Sequence, residues 1–179
     1  MNDLTALPLP ATADMLSLRK NVTGWKRQGL KVGFVPTMGA LHDGHLSLIA
    51  RAKEKADRVV ASIFVNPAQF APGEDFDAYP RTLETDAAKL AHAGCDLLYA
   101  PVASDMYPDG FSARLSVDGP ARSLETDFRP HFFSGVAIVV AKLFNRVQPD
   151  IAVFGEKDYQ QLLVIRQMVR DLDLPIDII

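Results

Sequence analysis

The chain has 179 residues, 48% of them apolar, a single cysteine and a formal net charge of −3. That length and apolar content suit one compact domain with a real core, and without clustered Lys and Arg the charge excludes nucleic acid and anionic membranes as general partners. Cys95 cannot close an internal disulfide, no Cys/His cluster has zinc-like spacing, residues 1–10 lack the profile of a secretory signal, and the apolar run 136–141 is far too short to span a bilayer. A cytoplasmic protein is expected.

Along the chain, Met15, Leu18, Val22 and Trp25 share one helical face, Gly29 follows as a stop, and residues 31–36 read as a buried strand. Leu46, Ile49 and Ala50 give the next helix an apolar stripe, and residues 59–65, rich in β-branched and aromatic side chains, form a second interior strand. A helix over 82–93, closed by Gly94, leads to a strand at 96–100, and a short edge strand is expected at 114–117. Val136, Val139, Val140, Leu143 and Phe144 recur at helical spacing; Pro149 separates that helix from a strand at 151–154. Leu162, Ile165, Val169 and Leu172 mark a last helix before a strand at 176–179.

Strands alternating with helices predict an α/β fold: a Rossmann-like, doubly wound, mainly parallel sheet with helices on both faces. Ligands in such folds bind beyond the carboxyl ends of the strands. Three polar clusters, at 37–45, 66–70 and 155–161, fall immediately after predicted strands, so the sheet should bring them to one rim.

The first cluster runs Thr37-Met38-Gly39-Ala40-Leu41-His42-Asp43-Gly44-His45. Glycines 39 and 44 allow a tight turn and close approach to a ligand, and the free N–H groups and dipole of the following helix favour an anion. Two imidazoles above such a turn suit a phosphate, where positioned donors stabilise charge that grows in the transition state. Either histidine could instead cap the helix, and a zinc site built on Asp43 and the histidines lacks further ligands in the sequence.

In Gly155-Glu156-Lys157-Asp158-Tyr159-Gln160-Gln161, Gly155 permits backbone approach and Lys157 is a compact charge suited to phosphate. Asp158 can cap the helix or meet a ribose hydroxyl, and Gln161 lies one turn past Lys157 on the same side. The alternative is an ordinary charged helix start. Asn66 and Gln69 both donate and accept hydrogen bonds, which fits a hydroxylated organic acid, with Phe64 and Phe70 as pocket walls or as core.

Together these segments resemble the pantothenate synthetase family, whose Phe-Val-Asn-Pro-x-Gln-Phe and Gly-Glu-Lys-Asp-Tyr-Gln-Gln sequences stand here at 64–70 and 155–161. The resemblance implies an ATP-dependent ligase that activates pantoate as an acyl adenylate and joins it to β-alanine. It implies that Met38, Gly39, Ala40, Leu41, His42, Asp43, Gly44 and His45 lie along ATP with Gly155, Glu156, Lys157 and Asp158. His45 would be the acid or phosphate-stabilising donor, His42 a second phosphate contact, and Lys157 would share in charge stabilisation. Gln69 and Gln161 would hold pantoate, with Asn66 in the same pocket. Magnesium is expected on the ATP phosphates, with Asp86 near it or else merely solvated, and a homodimer is implied.

Two departures stand out. Where the family often reads Arg-Pro-Gly-His-Phe-Arg-Gly-Val, this chain has Arg129-Pro130-His131-Phe132-Phe133-Ser134-Gly135-Val136. The chain also ends at Ile179, before the family's C-terminal lobe, so residues 1–179 are expected to be the N-terminal ATP- and pantoate-binding catalytic domain. Two rival readings remain: a nucleotidyltransferase acting on another acid or a phosphate ester, and a nucleotide-binding or dimerisation domain without turnover.

Overall fold

The computed structural model describes residues 4–70, 80, 82–121 and 132–179. Six parallel strands form one sheet in the order β1-β4-β3-β2-β5-β6. In chain order these are β1 (Ala11–Thr12), β2 (Val32–Thr37), β3 (Arg58–Ile63), β4 (Leu97–Tyr99), β5 (Ile151–Ala152) and β6 (Asp177–Ile178). The helices are α1 (Met15–Arg27), α2 (Asp43–Lys53), α3 (Leu83–His92), α4 (Ala103–Met106), α5 (Phe132–Val147) and α6 (Tyr159–Asp171).

Both faces of the sheet are covered, which is why Val32, Phe34 and Val35 of β2 are all fully buried rather than alternating. One core holds Phe34, Val60 and Tyr99 with Leu18 and Val22 of α1, Val139 and Phe144 of α5, and Leu162 and Ile165 of α6. Phe144 meets Phe34 and Phe154 edge-on, each at 6.3 Å between ring centroids. The other core joins Val35, Val59, Ala61 and Leu98 to Ile49 and Ala52 of α2 and Ala87 and Leu90 of α3. Each such large side chain contributes about 1.5–3 kcal/mol by leaving water.

The expected alternation holds, with corrections at the margins. Residues 114–117 form no strand; Leu115 and Val117 pack against the core as coil. The edge beside β4 is taken instead by β1, whose Pro10 and Thr12 carbonyls accept the N–H groups of Leu98 and Ala100 at 2.9 Å. In α2 the buried residues are Ile49 and Ala52, and Ala50 is exposed; Met15 and Leu172, at helix ends, are exposed as well.

From β2 the chain winds outward through β3 to β4, then crosses back to place β5 on the other side of β2. The winding therefore reverses between β2 and β5, and the carboxyl ends of those two strands flank the crevice where such sheets bind ligands.

Candidate active site

At the end of β2 the Thr37 hydroxyl donates to the carbonyl of Ser62 at 2.7 Å and accepts the N–H of Gly39 at 3.2 Å, turning the chain out of the sheet. Gly39 and Ala40 then take positive φ values of 90° and 52°. A left-handed alanine costs about 1–2 kcal/mol, and Asp86 of α3 offsets it. Its carboxylate, 1% exposed, accepts the N–H of Ala40 and that of Leu41, both at 2.8 Å, and the Thr82 hydroxyl at 2.9 Å. Lys89 donates to the carbonyl of Leu41, and the Leu41 side chain is anchored in the core. Asp86 is thus neither solvated nor set up as a metal ligand: both oxygens already hold the turn.

His42 is the N-cap of α2. Its Nδ1 accepts the N–H of Gly44 at 3.1 Å, and Nδ1 of His45 accepts the N–H of His42 at 3.4 Å, a reciprocal capping box built from two histidines. The backbone donors expected to face an anion are therefore largely occupied, those of Ala40 and Leu41 by Asp86 and those of His42 and Gly44 by imidazoles. In exchange, each neutral ring carries its proton on Nε2, because Nδ1 is the acceptor. The two rings lie 4.2 Å apart, tilted by 50°. Gly44 is required for this packing: a Cβ there would stand 2.8 Å from Cε1 of His42.

Phe154 is buried, and the N–H of Val153 donates to the carbonyl of Phe34 at 2.9 Å, so β5 delivers the second turn beside the end of β2. Gly155 starts a 3-10 turn at Glu156–Asp158 that runs directly into α6, with Glu156, Lys157 and Asp158 exposed. Asp158 makes no side-chain cap bond, so it does not cap α6. A Cβ at Gly155 would meet no atom of the described residues within 4 Å. Gln161 is half-buried on the first turn of α6, and Gln160 donates to the carbonyl of Pro120 at 3.0 Å.

The two turns act on each other electrostatically. Burial holds the pKa of the half-buried His45 below the usual imidazole range; the neighbouring His42 ring lowers it further and Asp86 opposes, followed by a lowering from Lys157 and an opposing effect from Asp158. Lys157 and Asp158 thus act on His45 across the gap between β2 and β5, and the ring is neutral near pH 7 with an Nε2 donor.

The third cluster behaves differently from its two candidate ligands. Asn66 is 1% exposed and points inward: it accepts from Tyr107 and Ala68 and donates to Gly135 and Gln69. Gln69, half-buried at the end of the turn Pro67–Gln69, is the amide nearer the surface. Phe64 is core, and Phe70 is half-buried. A cavity of about 440 Å³ opens beside this rim, lined by Met38, Gly39, Phe64, Val65, Pro101 and Val102 among others. Asp43 is exposed at the start of α2. Residues 129–131 of the altered segment lie outside the described residues; Gly135, within α5, is buried against the Asn66 turn.

Among the described residues no group of three or more His, Cys, Asp or Glu is arranged to hold a metal ion. The residues that sequence reasoning left out are Tyr107, and Asp86 as a support of the histidine turn. A carboxylate next to Ala87 and four residues before Leu90, on the buried face of α3, was the available signal for Asp86.

Comparison with known proteins agrees with this fold. The family model described as pantoate-beta-alanine ligase matches residues 11–179. The pantothenate synthetase of Maricaulis maris is 63% identical over 171 residues, covering 96% of this chain and 59% of that protein; that of Hyphomonas neptunium is 58% identical over all 179 residues and 61% of its length. The crystal structure of pantothenate synthetase from Thermus thermophilus superposes with a TM-score of 0.87 at 52% identity, covering 96% of this chain and 60% of that one. A pantoate-beta-alanine ligase from Francisella tularensis, in complex with beta-gamma ATP and beta-alanine, gives 0.90 at 41% identity, with 96% and 66% covered. The chain thus spans about three-fifths of the length of the relatives it matches. With its six-stranded parallel sheet and its paired turns at the β2/β5 crevice, the chain belongs to the pantoate-beta-alanine ligase family.

Proposed function

We propose that residues 1–179 are the ATP- and pantoate-binding catalytic domain of an ATP-dependent ligase that condenses pantoate with β-alanine. A carboxylate oxygen of pantoate attacks the α-phosphorus of ATP, the bond to the β-phosphate oxygen breaks, and pyrophosphate leaves. The amine of β-alanine then attacks the acyl carbon of pantoyl adenylate, loses a proton, and displaces AMP to give pantothenate. No protein nucleophile takes part.

The observation that carries this reading is that β5 pairs directly with β2, so that the turns following Thr37 and Phe154 leave neighbouring strand ends on either side of one crevice. One nucleotide laid there has Met38, Gly39, Ala40, Leu41, Asp43 and Gly44 along one side and Gly155, Glu156 and Asp158 along the other. The Nε2 donors of His45 and His42 and the ammonium of Lys157 stabilise charge growing on the phosphate oxygens, and holding both reactants in line supplies the rest. Gln69 and Gln161 bind the acid. Magnesium travels with the ATP phosphates, and the oxygens of Asp86 are engaged by the turn.

The protein works in the cytoplasm as a homodimer in this reading. A single cysteine, with no second one to pair with, suits a reducing setting, and no helix among the described residues is long and apolar enough to cross a membrane. Pantoate-dependent ATP–pyrophosphate exchange, run in parallel with phosphate-ester substrates, tests the activity: exchange with pantoate alone is expected, and exchange only with a phosphorylated substrate overturns it. Sedimentation of the complete protein tests the dimer.

A further inference from the structure

We infer that Tyr107 and Asn66 form a hydrogen-bonded relay that fixes which end of the Gln69 amide faces the acid, so that Gln69 meets it as an N–H donor. This rests on the reading above in which Gln69 binds pantoate.

Two backbone groups of fixed polarity identify the ends of the Asn66 amide, which Tyr107 then helps to hold. The N–H of Ala68, which can only donate, lies 3.2 Å from Oδ1, and the carbonyl of Gly135, which can only accept, lies 3.1 Å from Nδ2. The Tyr107 hydroxyl, 2.7 Å from Oδ1, is therefore a donor as well. The remaining N–H of Asn66 donates to Oε1 of Gln69 at 3.0 Å. The carbonyl end of Gln69 is thereby turned inward and its NH2 end away from Asn66. A carboxylate or hydroxyl oxygen is then met by N–H; a flipped amide would set oxygen against oxygen.

The relay is held rigidly on two sides. Tyr107 follows α4 and packs against Phe64 at 6.3 Å and edge-on to Phe111 at 5.1 Å, with the Lys142 ammonium over both the Tyr107 and Phe111 rings. Burial pushes its hydroxyl up to about 12, so it keeps its proton at any working pH. From the other side α5 comes so close that a Cβ at Gly135 would lie 2.3 Å from the carbonyl oxygen of Ala68. Only glycine lets α5 come close enough for the Gly135 carbonyl to accept from Asn66. Tyr107, Asn66 and Gly135 are positioning residues, acting through Gln69.

The test is pantoate-dependent exchange in the complete protein with Tyr107→Phe and Asn66→Asp, each alone and combined with Gln69→Ala. Asn66→Asp keeps the acceptor for Tyr107 and Ala68 but turns oxygen toward Gln69. Tyr107→Phe should raise KM for pantoate about fivefold and Asn66→Asp more, with KM for ATP changed by less than about twofold. In the Gln69→Ala background, where no amide is left to orient, Tyr107→Phe should change KM for pantoate by less than about twofold. Should Tyr107→Phe fail to fold, Asn66→Asp carries the same comparison. An unchanged KM in the single variants, or an equal effect in both backgrounds, overturns the relay. A silent Gln69→Ala, or no exchange in the wild type, overturns the reading of the site and the relay with it.

Discussion

Asp86 accepts the backbone N–H of Ala40 at 2.8 Å, and Ala40 is one of the three described non-glycine residues with positive φ. A carboxylate on α3 thus holds the strained turn from which both histidines project. Asp86→Ala would leave the N–H groups of Ala40 and Leu41 without that acceptor. A loss of about 2–6 kcal/mol in stability is expected, at about 1–3 kcal/mol for each of the two stranded donors, read by urea denaturation. A loss under about 0.5 kcal/mol would mean that the turn holds itself.

Gly44→Ala separates stability from activity. Alanine is the better helix former by about 1 kcal/mol, yet its Cβ would stand 2.8 Å from the His42 ring and push it off its place. The melting temperature should stay within a few degrees, since losing the His42 cap costs about 0.5–2 kcal/mol against that gain, while ATP affinity, by calorimetry, falls about tenfold, the loss of one charge-assisted hydrogen bond. Unchanged affinity would remove the His42 ring from the phosphate site.

His45→Ala removes the half-buried donor at the crevice. Removing one such preorganised donor costs about two to three orders of magnitude in rate, so pantoate-dependent exchange in the complete protein should fall by that factor. A near-normal rate would take His45 out of the mechanism.

The titration of His45 has a definite sign. Its pKa in the folded chain lies below the unfolded value, with burial the main cause. The unfolded chain therefore binds the extra proton first. Stability from this group is fully present above the ordinary imidazole pKa and is lost as pH falls through the depressed one. Protonation also sets an N–H at Nδ1 against the N–H of His42, undoing the cap. Because Lys157 contributes to the depression, Lys157→Gln should raise the pKa of His45, and saturating ATP should raise it further. Imidazole 15N chemical shifts followed against pH read both; no change in Lys157→Gln would mean that the turns do not sense each other.

The alternation of buried strands and amphipathic helices was legible because a parallel sheet covered on both faces makes its strands uniformly apolar. From that alone followed the rim on which Thr37 and Gly155 stand. The edge was not legible: β1 is two residues long and carries no period, whereas residues 114–117 look like a strand but form none, the place beside β4 being taken by β1. The histidines were legible by type and spacing, and of the roles open to them the structure shows the capping one, since Nδ1 of each accepts a backbone N–H at the start of α2. The supports were hidden by distance along the chain. Asp86 meets its partners 45 and 46 residues away, and Asn66 turns inward to groups 41 and 69 residues away.

Hydrogen–deuterium exchange with and without saturating ATP tests most directly whether one nucleotide joins the two turns. Slower exchange is expected in both 37–45 and 155–161, with the β6 edge at 177–178 unaffected. Protection confined to one of the two turns would contradict a shared nucleotide site.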